Sequence, residues 1–375
     1  MADWLASMQQ TFEYYTVDPG TWKDVKLLDN VKSCTITRES DAETLGSATI
    51  DVTGIVGESY IRIYLITIQN GVKERHPLGT FLVQTPSSSF DGKIRTVTMD
   101  AYTPLIELKE NPPPIGYSIF KGENQSNNPY VLDNAYRLVR ENARAPVVST
   151  TSDAKVLSDF VANTDDTWLT FISDLLATAD YSLELDEMGR ILFAPYQDTE
   201  SMQPIWTYDD SNSSILYPDI DIDHDLFGIP NVIEIISSNG FYNDNPDKKD
   251  GEPDTLYYLR IENNDENSPV SIINRGRTLT HREVDPVIVG DTNTILSWSV
   301  VYPYAEKLLK SMSSVEYTVS YKHSYCPVRL GDCVRLNYTR AGLTNIKAKV
   351  ISQSIKCEPG CPVSEKAVFS AKLWR

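Results

Sequence analysis

Short blocks of alternating apolar residues between positions 31 and 102 constrain the fold of this chain more than any other feature. Because successive side chains of a strand point to opposite faces of a sheet, a period of two predicts half-buried strands. The blocks are Cys34 and Ile36, then Ala48, Ile50 and Val52, then Ile61, Ile63 and Leu65. Asn70-Gly71 and Asp91-Gly92 are typical of tight hairpin turns. The segment is therefore predicted to form a compact antiparallel barrel or sandwich.

A triple proline at Pro112–Pro114, followed by a polar run, predicts a domain boundary because proline donates no ladder hydrogen bond. Two helices are expected after it. Their apolar stripes are Val131, Leu132, Ala135, Leu138 and Val139, and then Trp168, Phe171, Ile172, Leu175, Leu176 and Ala179. Asn128-Pro129 is predicted to cap the first helix, and Asp165 or Asp166 the second. A hairpin turning at Glu187-Met188-Gly189 completes a small α+β module.

The remainder of the chain again has the composition of β structure. One helix interrupts it, with an ordinary core-facing stripe at Tyr302, Ala305, Leu308, Leu309 and Met312. The predicted strands are Asn231–Ile236, Thr255–Ile261, Glu316–Tyr321, Cys333–Tyr338, Ile346–Ile355 and Ala367–Leu373. We therefore expect a mainly β protein in which residues 1–110 and 201–375 flank a helix-hairpin module at 111–200.

The charge of the chain excludes two classes of partner. Its 375 residues include 34 Lys and Arg against 52 Asp and Glu, a formal net charge of -18. Nucleic-acid and anionic-membrane binding both need clustered cations, and here the cations are scattered. No stretch approaches the ~20 apolar residues needed to cross a bilayer, and Met1–Gln10 lacks the pattern of a secretory signal, so we expect neither insertion nor export.

Four aspartates at alternating positions, Asp219, Asp221, Asp223 and Asp225, would share one face of a strand. A calcium loop of the helix-loop-helix type needs glycine at its sixth position and glutamate at its twelfth, where this chain has His224 and Pro230. The pattern favours a solvated acidic strand face, and a cation site stays an alternative.

The five cysteines leave three possibilities open. Cys326, Cys333, Cys357 and Cys361 lie in one β-rich stretch and could hold zinc, but their spacing matches a zinc site only in part. Disulfides are the second possibility, and free thiols within strands are the third. The odd total, completed by Cys34, favours reduced thiols.

No pattern of catalytic residues stands out. His76, His224, His281 and His323 are far apart in sequence, and no nucleophile elbow, phosphate-binding glycine loop or dinucleotide fingerprint occurs. Carboxylate pairs suited to glycoside hydrolysis remain possible by chance among so many acids. We expect no enzyme, no catalytic residue, no cofactor and no metal.

Several short motifs follow one another along the chain: Val31–Glu39, Leu45–Ile50, Leu78–Val83, Thr167-Trp168-Leu169, Asp186–Ile191, Pro230-Asn231-Val232, Tyr304-Ala305 and Pro327–Val334. These motifs resemble segments of the baseplate hub proteins of contractile phage tails and related injection machines. Their order, a helical module between two β modules, carries the resemblance over most of the chain.

The resemblance implies two tube-type antiparallel β-barrels per chain and a homotrimer whose six barrels form a pseudo-sixfold ring. Such a ring joins the hexameric tail tube protein to the trimeric central spike protein, contacts other baseplate proteins, and lines a channel through which DNA passes without specific binding. Edge strands of neighbouring barrels could pair across chains. The implied location is the virion tail baseplate, assembled in the host cytoplasm, and a non-contractile tail is equally compatible.

A second function stays open on composition alone. The 21 tyrosines and abundant acids are also typical of a carbohydrate-binding or cell-wall-cleaving β protein at a tail tip. Because the sequence ends just after a β run, at Trp374-Arg375, we expect any peptidoglycan cleavage to reside in another chain.

Overall fold

The computed structural model of this chain is mainly β, as the sequence predicts. It describes residues 2–53, 57–122, 127–156, 159–211, 214–224, 226–286, 296–312 and 314–372. The chain divides into two compact units: the first unit contains residues 1–221 and 320–367, and the second contains residues 222–319 and 368–375. The three-part division by sequence position stays a prediction.

Seven strands form the first module of the first unit. They are β1 (Gln9–Val17), β2 (Asp24–Leu28), β3 (Val31–Glu39), β4 (Gly46–Thr53), β5 (Tyr60–Gln69), β6 (Val72–Phe90) and β7 (Arg95–Tyr102). Their spatial order is β3-β4-β7-β6-β5-β1-β2, and all neighbours are antiparallel. Inward side chains of β1 and of β3 to β7 share one hydrophobic core, so the sheet curls around it. Among the described residues no ladder closes the curl into a barrel.

Both predicted hairpin turns of this module are present. Asn70 and Gly71 have φ angles of 52° and 78° between β5 and β6, and Asp91 accepts backbone hydrogen bonds from Lys93 and Ile94 before β7. The prediction of half-buried strands is wrong for β5, which is buried on both faces over most of its length. The reason is that its outer face, which includes Arg62, is covered by other parts of the first unit.

The middle module contains three helices and two short strand pairs. Its elements are α1 (Ile106–Glu110), β8 (Ser118–Ile119), α2 (Val131–Asn142), β9 (Phe160–Val161), α3 (Trp168–Ala177), β10 (Tyr181–Leu185) and β11 (Ile191–Pro195). The apolar stripes of α2 and α3 pack into one core, and β10 pairs with β11 as the predicted hairpin.

Both predicted helix caps of the middle module are wrong. Helix α3 begins after Thr167, whose hydroxyl accepts a hydrogen bond from the backbone N–H of Thr170 in a capping box. Asp166 instead accepts a hydrogen bond from the backbone of Asn163. Helix α2 begins after Tyr130 with no side-chain cap, because Asn128 accepts a hydrogen bond from the backbone of Gly122.

The remaining elements follow the middle module. They are β12 (Trp206–Asp209), β13 (Leu216–His224), β14 (Val232–Tyr242), β15 (Thr255–Glu262), α4 (Ile272–Arg275), β16 (Thr280–Val284), α5 (Trp298–Met312), β17 (Ser314–Ser324), β18 (Cys333–Asn337), β19 (Ile346–Lys356) and β20 (Pro362–Lys372). Every strand predicted here is present, with Leu373 outside the described residues. The strands β12, β13 and β17 to β20 form a second module, of which one end of β13, of β17 and of β20 is assigned to the second unit.

The second module repeats the strand order of the first. The first module contains the path β1-β5-β6-β7-β4-β3, and the second contains β12-β18-β19-β20-β17-β13. If β2 is left out and the strands of each module are ranked by their order along the chain, the same ranks occur at the same positions of both paths. Two differences accompany the match: β12 runs parallel to β18 whereas β1 runs antiparallel to β5, and β2 has no counterpart. The two β modules therefore share one topology.

Besides those strand ends, the second unit contains the segment between β13 and β17. Its sheet has the order β15-β14-β16, with β14 antiparallel to β15 and parallel to β16. The predicted stripe of α5 packs on β14 and β15, where Ala305 and Leu309 are buried against Ile233 and Ile235. The prediction of a core-facing helix is confirmed.

Candidate functional site

The two β modules are joined edge to edge by a ladder between β3 and β19, which we call the seam. It runs antiparallel and pairs residues 35–39 with residues 352–356. Arg38 donates hydrogen bonds across it to the Gln353 side chain at 2.9 Å and also to the Leu78 carbonyl at 2.6 Å. The backbone of Cys357 donates to the Cys34 carbonyl at 2.9 Å. One continuous sheet therefore runs through both modules.

A buried arginine fixes the middle hairpin to the first module. Arg62 on β5 is 1% exposed, and its Nη1 lies 2.8 Å from the Asp24 carboxylate. Its Nε donates to the Thr80 hydroxyl at 2.8 Å and its Nη2 to the Met188 carbonyl at 3.0 Å. The indole of Trp22 donates to the same carbonyl at 2.7 Å. A fully paired guanidinium thus satisfies the carbonyl that the hairpin turn presents.

The turn requires glycine at the position where it comes closest to β6. Gly189 has a φ of +74°, and a Cβ there would lie 2.7 Å from the Cβ of Thr80. On one side of the turn, Asp186 pairs with Arg190 at 2.5 Å. On the other, Glu187 pairs with Arg329 of the second module at 2.6 Å. The first, middle and second modules therefore meet at this turn.

A buried polar network occupies the second module. The Glu365 carboxylate accepts hydrogen bonds from Tyr321 at 2.5 Å and Gln353 at 2.6 Å, and it lies 3.4 Å from His323 Nε2. Burial alone would lower the pKa of His323, but its hydrogen bonds with Cys326 and Glu365 and the charge of Glu365 outweigh burial and raise that pKa to about 10. Tyr321, His323, Gln353 and Glu365 are all buried, so the network is an internal ion pair and not a surface feature.

A cleft of about 480 Å³ opens among the three modules of the first unit. Glu184 and Asp332 lie in its wall, and burial raises the pKa of both carboxyls. The backbone of Arg329 donates to Asp332 at 2.7 Å. Asp186 and Glu187 also line the cleft, and each is paired with an arginine. No group of three His, Cys, Asp or Glu side chains suited to a metal occurs in the described part of the chain.

The cysteines do not form the four-thiol group that zinc would need. Cys326 contacts the Tyr208 hydroxyl at 3.2 Å, and Cys333 contacts the Val334 carbonyl at 3.8 Å. Cys357 and Cys361 instead pack with Cys34 in the core of the first module, a grouping that no local sequence pattern indicates. All five thiols are free.

The histidines and the acidic run also stay apart. His76 contacts the Thr67 hydroxyl at 3.1 Å, His224 stacks on a tyrosine, and His281 lies 3.6 Å from a glutamate. The aspartates at 219, 221 and 223 are exposed on β13, as a solvated strand face should be, and Asp225 lies outside the described residues. No described helix has the length and hydropathy to span a membrane.

Several strand edges of the first unit lack a partner among the described residues, including the three that follow. One is β2, where Val25 and Leu27 are 67% and 46% exposed. The second is β13, at the opposite end of the sheet. The third is the end of β6 beyond Leu82, where β5 stops and only β7 continues alongside. Bare edges are sites of pairing with other chains unless they are protected. These edges were not predicted individually.

Comparison with known proteins gives matches in structure only. No family model and no curated protein sequence matches this chain. A tail protein from Neisseria meningitidis MC58 aligns with a TM-score of 0.59 at 11% identity, covering 97% of this chain and 98% of its own. The 43 kDa tail protein of prophage MuSo2 from Shewanella oneidensis aligns with a TM-score of 0.57 at 10% identity, covering 96% and 98%.

A third similar structure is the Francisella PdpA-VgrG complex. The TM-score is 0.52 at 9% identity, and the alignment covers 98% of this chain but 53% of that one. At such low identity these matches show a shared fold. Over nearly its whole length, this chain therefore has the fold of phage tail proteins.

Proposed function

We propose that this chain is a structural hub of a phage tail or related injection machine. In this role three copies form a ring that joins a sixfold tail tube to a threefold spike. The similarity in fold to two tail proteins over nearly their full lengths supports a tail role. The role is structural and uses no catalytic residue, cofactor or metal. Its partners are the tube protein, the spike protein and other baseplate proteins.

The repeated topology of the two β modules carries the proposal. Each chain contributes two modules of one strand order, already joined edge to edge by the seam. Three such chains supply six similar modules, while their middle modules and second units repeat only three times. A ring of this kind matches sixfold symmetry on one side and threefold symmetry on the other.

The negative charge of the chain fits a channel for DNA. With a net charge of -18, the chain repels a polyanion instead of retaining it. DNA therefore passes through such a ring without specific binding. The virion tail is the corresponding location, with assembly in the host cytoplasm.

A carbohydrate-binding role is the second candidate. Tyr242, Tyr257 and Tyr258 on neighbouring strands of the second unit are 55%, 58% and 47% exposed. Exposed aromatic rings are typical of sugar-binding surfaces. Tyr242 and Tyr257 lie on the same face of this strand pair, so binding to purified cell wall that Tyr242→Ala with Tyr257→Ala abolishes would favour this role.

Electron microscopy of the purified chain mixed with its tube protein tests the hub role. Rings seated on tube ends are expected, and tube protein alone is the control. Chains that stay monomeric at high concentration and leave tube ends bare would contradict the proposal.

A further inference from the structure

The seam shows how one module of this fold binds the next. Its β19 strand has two partners along one edge: β18 pairs with residues 346–349, and β3 pairs with residues 352–356. In the repeated topology β19 corresponds to β6, and β3 corresponds to β13. The seam is therefore a contact between a β6-type strand and a β3-type strand.

The same two kinds of edge are vacant elsewhere in the described part of the first unit. Along β6, β5 pairs only as far as Leu82, and the exposed residues Ser87, Ser88 and Ser89 have β7 alone beside them. Strand β13 has β17 alone beside it. The pair Cys333 and Lys349, which joins β18 to β19, corresponds to the pair Tyr60 and Leu82, which joins β5 to β6. When these two pairs are aligned, residues 354–356 of β19 correspond to residues 87–89 of β6.

We propose that residues 87–89 of β6 pair with β13 of a second copy of this chain, repeating the seam between molecules. The inference rests on the proposed trimeric hub and names its interface. Among the described residues each chain carries one vacant edge of each kind, so the contact is head to tail, the type that forms a ring when the rotation at each contact closes. The seam is antiparallel, and the contact between copies has the same direction. Pro218 donates no backbone hydrogen bond, so the ladder starts at Asp219.

Charges on the two edges are complementary. The hairpin that ends β6 carries exposed Lys93 and Arg95, and exposed Lys32 lies beside it, with its ammonium group 2.9 Å from the Thr96 hydroxyl. On β13, Asp219 and Asp221 are exposed and pair with no cation among the described residues. Opposite charges on facing patches steer association and fix its register.

Charge reversal tests the interface in the full-length chain. Lys93→Glu with Arg95→Glu, and separately Asp219→Lys with Asp221→Lys, should each weaken the trimer about tenfold, because like charges then face each other. Combining all four substitutions in one chain should restore the wild-type mass distribution, since both edges of every contact are reversed. Asp247→Lys with Glu252→Lys, on exposed positions of the second unit, is the control and should change nothing.

Sedimentation over a dilution series gives the readout and separates the two proposals. Wild-type trimers that both pair variants leave unchanged would overturn the interface while the hub role stands. Trimers weakened by each pair variant but not restored by the combined variant would also overturn it, since the effect would then not come from the pairing of these edges. A wild-type chain that never associates would overturn the hub role itself.

Discussion

Replacing Arg62 by methionine tests whether one buried cation holds the middle hairpin on the first module. Methionine fills similar space, so the substitution removes charge and hydrogen bonds with little change in packing. The guanidinium lost is 1% exposed and bonds three groups at 2.8 to 3.0 Å. We expect the first unit to lose stability and the hairpin to loosen.

The expected loss follows from what the substitution leaves behind. Breaking a buried ion pair costs roughly 3–5 kcal/mol when the remaining charge has no other partner. Here Asp24 is 19% exposed and keeps hydrogen bonds from Tyr64 at 2.9 Å and Arg75 at 3.0 Å. The Met188 carbonyl also keeps the Trp22 indole. We therefore expect about 3 kcal/mol, at the lower end of that range.

Urea unfolding, together with hydrogen exchange of the β10 and β11 amides, measures this effect. Arg137→Met is the matched control, because Arg137 makes exposed contacts, a hydrogen bond to the Tyr117 hydroxyl and an i,i+4 pair with Glu141 that contributes about 0.5 kcal/mol or less. If Arg62→Met lowers the free energy of unfolding no more than this control, or leaves exchange of the hairpin amides unchanged, the reasoning is wrong.

Two further predictions concern the same unit and its network. Gly189→Ala should cost about 2 kcal/mol in urea unfolding, since its Cβ would meet Thr80, whereas Gly251→Ala, with open space at a similar φ, should cost about 1 kcal/mol. Because the pKa of His323 is raised, its stabilisation is present below pH 6.5 and lost as pH rises through about 10. The melting temperature should therefore fall over that range, and a Glu365→Gln variant, already less stable, should show a shallower fall.

The sequence predicts most strands and helices of this chain because local patterns determine them. Ile61, Ile63 and Leu65 predict β5 by their period of two, and the stripe of α5 predicts its packing face. The hairpin turns follow from Asn-Gly and Asp-Gly chemistry. The repeat of two β modules, expected from the resemblance alone, is visible in the strand order.

Contacts between distant segments could not be predicted in the same way. Arg62 looks like a solvent-facing residue within an alternating strand, and only the turn at Met188, far along the chain, makes it buried. Residue type alone predicts Asn and Asp caps for α2 and α3, but α3 is capped by Thr167 and α2 begins after Tyr130 with no side-chain cap. The grouping of Cys34 with Cys357 depends on the seam, for which no local pattern exists.

A reconstruction of the purified ring by electron microscopy, made without imposed symmetry, tests the central claim most directly. The account predicts a particle of about 127 kDa, three times the 42.2 kDa chain, with six similar β densities spaced at equal angles around one channel. A ring with only three such densities, or a particle in which the two β modules of each chain occupy unlike positions, would contradict it.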